Sequence, residues 1–138
     1  MSQKGRAFIG AALLLRQRGG YEYPVLHLLC QGIEVLGKGH LLSIDYQAHM
    51  PKLKSYGHNL IRLAEVVEQV SNLSILKPLV RSELDVLSKL YSKHLLRYGS
   101  GYDVLVDPTT IPSDRVLRRL AAIFRVQGRS EARQKSAI

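Results

Sequence analysis

Residues 24–42 read PVLHLLCQGIEVLGKGHLL, and this stretch decides the fold. Pro24 suits the first turn of a helix, where its missing N–H has no intrahelical partner to lose. Behind it Val25, Leu26, Leu28, Leu29, Ile33, Val35, Leu36, Leu41 and Leu42 put apolar side chains on nearly every side. A helix apolar all round belongs either in the middle of a domain or in a membrane. His27, Glu34, Lys38 and His40 interrupt the run, and no run in the chain reaches the roughly 20 apolar residues that span a bilayer. The stretch therefore reads as the central helix of a soluble bundle. Gly32, Gly37 and Gly39 each cost about 1 kcal/mol of helix propensity relative to Ala, a loss that close approach of a neighbouring helix offsets. Glu34 and Lys38 stand one turn apart in the favourable order for an ion pair.

Working outward, residues 4–18 carry Phe8, Ala11, Ala12 and Leu15 at helical spacing and end at Gly19-Gly20. Residues 43–57, punctuated by Pro51 and Gly57, read as a loop or a loop with a short turn, long for a bundle. A third helix is expected over 58–71, with Leu60, Leu63, Ala64, Val67 and Val70 inward, and a fourth over 78–97, with Val80, Leu84, Leu87, Tyr91 and Leu95 inward. Ser113 is a suitable N-cap for a fifth helix, whose apolar side is Val116, Leu117, Leu120, Ala121 and Phe124. Val104–Val106 is the only strand-like triplet. The expected fold is all-α, an antiparallel up-and-down bundle of four to five helices. It occupies one domain over residues 1–127, followed by a polar basic tail over 128–138.

Composition is consistent with this: 138 residues, 46% hydrophobic and 22% charged, are ordinary for one globular domain. Cys30 is the only cysteine, so no disulfide forms within the chain, and its place in the apolar helix makes it a small buried hydrophobe. Lys4 and Arg6 ahead of residues 7–15 imitate a secretory signal, but Arg16 and Arg18 follow at once without a small-residue cleavage site. The cytoplasm is the expected compartment, without membrane attachment. The formal charge of +9 is concentrated at the C-terminal end: from Arg115 onward seven basic residues stand against one acid. Arg115, Arg118 and Arg119 are the candidates there for meeting phosphates.

Short connections favour antiparallel neighbours. That arrangement brings Lys38 and His40, the stretch Gly57-His58-Asn59, and His94, Arg97 and Tyr98 to one end of the bundle, with Lys54 just before. The first turn of a helix offers unpaired N–H groups and partial positive charge, and with Arg97 and Lys54 beside it the end suits a phosphate. The five histidines show no paired metal-ligand spacing and no second cysteine joins them, so neither a metal nor a cofactor is expected. Phosphate-loop, dinucleotide and nucleophile-elbow motifs are missing from the sequence.

Three stretches resemble the HEPN superfamily of small prokaryotic helical bundles. They are residues 24–42 with Glu34 and Lys38 one turn apart; Lys54-Ser55-Tyr56-Gly57-His58-Asn59-Leu60, close to the pattern K-x-Y-G-H-[DN]-L; and Tyr91 to Tyr98, close to Y-x-x-x-x-L-R-Y. Order and spacing agree over about residues 7–98. The resemblance implies a helical bundle, often homodimeric, with a polar cleft that takes RNA or a nucleotide. It also brings the expectation of a nucleotidyltransferase-type antitoxin partner. Ribonuclease members carry an Arg followed by four to six residues and then His, and this sequence has no such pair. The expected reading is thus a binding module, with Lys38, Lys54, Asn59 and Tyr98 as ligand contacts at the end of the bundle and Arg115, Arg118 and Arg119 as further contacts on the basic fifth helix. The alternatives are a metal-independent RNA-cleaving effector using His58, His94 and Arg97, and a non-catalytic dimeric interaction module.

Overall fold

The computed structural model describes residues 2–19, 22–93, 112–113 and 115–120. It is an all-α bundle with no strand among the described residues. Helix α1 (Ser2–Gln17) and helix α2 (Glu22–Ile44) form an antiparallel pair. Their register is set by glycines. A Cβ on Gly5 would lie 2.5 Å from Leu36 Cγ, and one on Gly32 2.5 Å from Ile9 Cγ1, so each helix sinks a side chain into the other's gap. The expected α1 stripe is displaced by one position at its centre. Ile9 and Ala12 are buried, whereas Leu15 is 38% exposed, because the Gly5 and Gly32 notches, not the bulk of Leu15, choose the face.

Helix α2 starts two residues before Pro24, which falls inside its first turn. Val25, Leu26, Leu29 and Cys30 are almost wholly buried, in one core with Ile9 and Ala12 of α1 and with Leu60, Leu84 and Leu87. Burying each leucine contributes about 1.5–3 kcal/mol. Among the described residues no helix is long and apolar enough to cross a membrane.

Residues 43–57 are not an open loop. Helix α3 (Tyr46–His49), a 3-10 turn (Met50–Lys52) and helix α4 (Leu53–Tyr56) fill them. Asp45 starts the series by accepting from the Ala48 N–H at 3.1 Å. This chain of short turns carries the backbone back along α2, so helix α5 (Leu60–Ser71) begins beside Glu34 instead of beside the end of α2. The contacts Glu34–His58, Gly37–Leu63 and His40–Ser71 rise together in number, so α5 crosses α2 obliquely and in the same sense. Tyr56, Leu41, Leu63, Val66 and Val67 form a second apolar cluster under this crossing.

Helix α6 (Pro78–Ser92) returns antiparallel to α5. Arg81 reaches Glu65 at 2.7 Å near one end, and Ser88 Oγ accepts from the Leu60 N–H at 2.9 Å near the other, supplying a partner to a first-turn donor of α5. Glu68 closes the loop between them by accepting from the Ile75 and Leu76 N–H groups at 2.8 and 2.9 Å. Residues 115–120 are helical, and Val116 enters the main core. Ser113 accepts from the Leu117 N–H through its carbonyl at 3.0 Å, as an N-cap residue does. Its hydroxyl, however, accepts from Arg16, and the capping oxygen is Oε1 of buried Glu83, which takes the Arg115 N–H at 3.0 Å and the Val116 N–H at 3.4 Å.

Candidate functional site

The polar residues that meet do so on the flank of α2, where α5 begins and α6 ends. Gly57 makes the corner. Its φ of +52° and ψ of −126° are open to glycine and strained for other residues. The corner turns the Gly57 carbonyl toward α2, where Lys38 Nζ donates to it at 3.1 Å. It also delivers the His58 ring to Glu34, with Nδ1 2.7 Å from Oε1. Lys38 lies 3.7 Å from that same carboxylate oxygen, closing the expected one-turn ion pair. From α6, Tyr91 Oη donates to Glu34 Oε2 at 3.5 Å, the long limit of such a contact, and Ser92 Oγ donates to the His58 carbonyl at 3.0 Å. The Tyr91 ring meets the His58 ring edge-on at 5.0 Å and the His27 ring at 5.6 Å.

Glu34 is thus the hub, largely enclosed at 14% side-chain exposure, and His58 is the outermost member at 43%. A neutral imidazole that donates Nδ1–H to a carboxylate is fixed in one tautomer, with its lone pair on Nε2, and in one orientation. The arrangement supplies a positioned proton-transfer group next to an ammonium. Behind it Cys30 is inert: burial, and next the charge of Glu34, push its thiol above the usual range.

Of the other expected site residues, Lys54 is exposed on α4, just before the Gly57 corner. The Asn59 side chain caps α5, accepting from the Arg62 N–H at 3.0 Å. His40 does not join His58; its Nε2 sits 2.7 Å from Ser71 Oγ at the far end of α5, and burial lowers its pKa. Arg115 and Arg119 belong to a separate region over the first half of α6. Arg115 pairs with Glu83 at 3.0 Å, Arg119 donates to the Ser74 carbonyl, and Arg118 lines a half-open recess with Glu83 and Pro112. His94, Arg97 and Tyr98 lie outside the described residues, as does the tail over 128–138. Among the described residues no group of three or more His, Cys, Asp or Glu side chains could hold a metal ion.

Sequence reading missed Tyr91 and His27 as members of the cluster. Tyr91 occupies a core position in the helical stripe, and only its hydroxyl hinted at a polar neighbour. Comparison with protein-family profiles, with curated proteins and with solved structures finds no match to this chain.

Proposed function

We propose that the chain is a HEPN-like helical module that binds RNA or a nucleotide through phosphate at the Lys38–His58 cluster. The observation that carries this reading is the contact of His58 with Glu34 beside Lys38. It holds a half-exposed imidazole and an ammonium on one rigid corner, on the residues that carry the family resemblance. Exposed Lys54 and Arg62 add positive charge on the two helices flanking that corner. The phosphate term makes such binding salt-dependent. Fluorescence anisotropy with a short labelled RNA tests the reading. Lys38→Ala and His58→Ala are expected to weaken binding about tenfold each, with helicity retained by circular dichroism. Affinity equal to wild type in both variants would refute it.

A second reading, metal-independent RNA cleavage, is favoured by the same Glu34–His58 contact. With Nδ1–H on Glu34, the Nε2 lone pair of His58 takes the 2′-hydroxyl proton as that oxygen attacks phosphorus; the P–O5′ bond breaks, and the departing 5′-oxygen takes a proton from water, leaving a 2′,3′-cyclic phosphate. Incubation with RNA in the presence of EDTA decides between the two, since cleavage abolished by His58→Asn supports the enzyme and intact RNA supports the binding module. A homodimer and a nucleotidyltransferase-type partner accompany either reading as proposals from the resemblance.

A further inference from the structure

Helix α1 is held from one side. Gly5 and Ile9 meet α2, and Ala12 is buried with them. Gln3, Ala7, Gly10, Leu14 and Gln17 recur at helical spacing on the side turned away from α2, and all five are exposed. Leu14 is 56% exposed and Leu13 is 41% exposed, and Leu15 is exposed as well. Single exposed leucines are ordinary, but a run of three at the end of one helix is a patch. A Cβ on Gly10 would meet nothing within 4 Å, so Ala7 and Gly10 leave an open notch beside these leucines. The rim is basic. Helix α1 contains no Asp or Glu. Arg16 is engaged by Glu22 and Ser113, whereas Lys4 and Arg18 stand exposed at the two ends of the face, with no side-chain partner among the described residues.

We propose that the outer face of α1 docks an acidic amphipathic helix of a partner protein. Apolar side chains of that helix enter the Ala7–Gly10 notch against Leu13 and Leu14, and carboxylates toward its ends meet Lys4 and Arg18. The charge of the rim selects this occupant. A second copy laid antiparallel on the face brings the Lys4 end of one helix to the Arg18 end of the other, like charge against like. Residues 121–138 of the chain itself carry Arg125, Arg129, Arg133 and Lys135 against Glu131 alone, which is again the wrong sign. An anionic lipid surface matches the charge but gains its binding from bulky side chains that insert, and Ala7 and Gly10 supply none. A notch is a shape that the side chain of another helix fills.

The test selects binders of the full chain from a displayed library of helical peptides about as long as α1, randomised on all faces. Enriched peptides are expected to carry an apolar ridge at helical spacing with Asp or Glu toward its ends. Titrated into the isotope-labelled chain, the strongest of them should shift the amides of Ala7, Gly10 and Leu14. Leu14→Ser and Gly10→Leu change exposed positions only and leave the α1–α2 contact intact; each should weaken that peptide about tenfold. Lys4→Glu combined with Arg18→Glu should weaken it by a similar factor, and Lys in place of the peptide's acids should restore it. No enrichment, enrichment of basic peptides, or equal binding by the Leu14→Ser chain overturns the proposal. Two further results overturn it by giving the face to another occupant. One is a wild-type dimer in sedimentation that Leu14→Ser converts to monomer. The other is Leu14-dependent binding to vesicles of phosphatidylcholine and phosphatidylserine.

Discussion

Glu34 and His58 are 24 residues apart in sequence, yet Oε1 and Nδ1 are 2.7 Å apart because the turns of α3 and α4 bring the chain back to the flank of α2. The contact joins the central helix to the residue just before the N-cap of α5. Glu34→Ala removes the carboxylate that His58, Lys38 and Tyr91 share at a mostly enclosed site. Chemical denaturation should report a loss of about 1–3 kcal/mol.

The helix crossings depend on absent side chains. A Cβ on Gly32 would fall 3.0 Å from the Gly5 carbonyl oxygen as well as against Ile9, and one on Gly37 would fall 2.8 Å from Leu63 Cδ2. Gly32→Ala and Gly37→Ala should each destabilise by about 1–3 kcal/mol through overpacking. Gly10 on α1 meets nothing within 4 Å among the described residues. There Gly10→Ala should stabilise by about 0.5–1 kcal/mol through helix propensity alone. Thermal melts of the three variants give opposite signs if the notches set the register.

Burial lowers the pKa of His40 below the ordinary imidazole value of about 6.5. The unfolded chain then binds the proton more readily than the folded one, so protonation favours unfolding. Stability contributed by neutral His40 is present above the unfolded value and is lost as pH falls from about 6.5 toward the lowered folded value. His40→Gln should flatten this part of a stability-against-pH curve measured by denaturant titration.

Cys30 is fully buried, and its raised pKa leaves almost no thiolate at neutral pH. A disulfide reagent should not modify the native protein and should react with one thiol per chain once denaturant is added. Rapid reaction of the native protein would contradict the packing of α2.

Glu83 is 4% exposed, and it accepts hydrogen bonds from Arg115 and Val116 at the start of the last described helical segment. Glu83→Gln keeps the size but gives up the charge that favours a helix N-terminus and the Arg115 guanidinium. Hydrogen exchange over residues 115–120 should quicken, with a stability loss of about 1–3 kcal/mol, while α2 keeps its protection.

Much of this architecture was legible in the sequence, for reasons that can be named. The apolar run around Leu26 and Leu29 marked the central helix, the glycines in it marked close crossings at Gly32 and Gly37, and the spacing of Glu34 and Lys38 marked their pair. The Tyr-Gly-His-Asn-Leu box singled out His58, which the structure places against Glu34. What was not legible is long-range or too short to be periodic. Helices α3 and α4 have four residues each, less than the span over which an apolar face can repeat. Consequently the return of the chain along α2, and with it the separation of His40 from His58, had no local signal. Glu83 capping a helix 32 residues away had none either.

The most direct measurement follows the imidazole and amide signals of an isotope-labelled full chain during titration with a short single-stranded RNA. The corner of α2, α5 and α6 predicts that the His58 ring nitrogens and the Lys38 amide shift together and saturate at one concentration, and that Lys38→Ala raises that concentration about tenfold. Saturating shifts confined to Arg118 and its neighbours, with His58 unmoved, would contradict the assignment of the site to that corner.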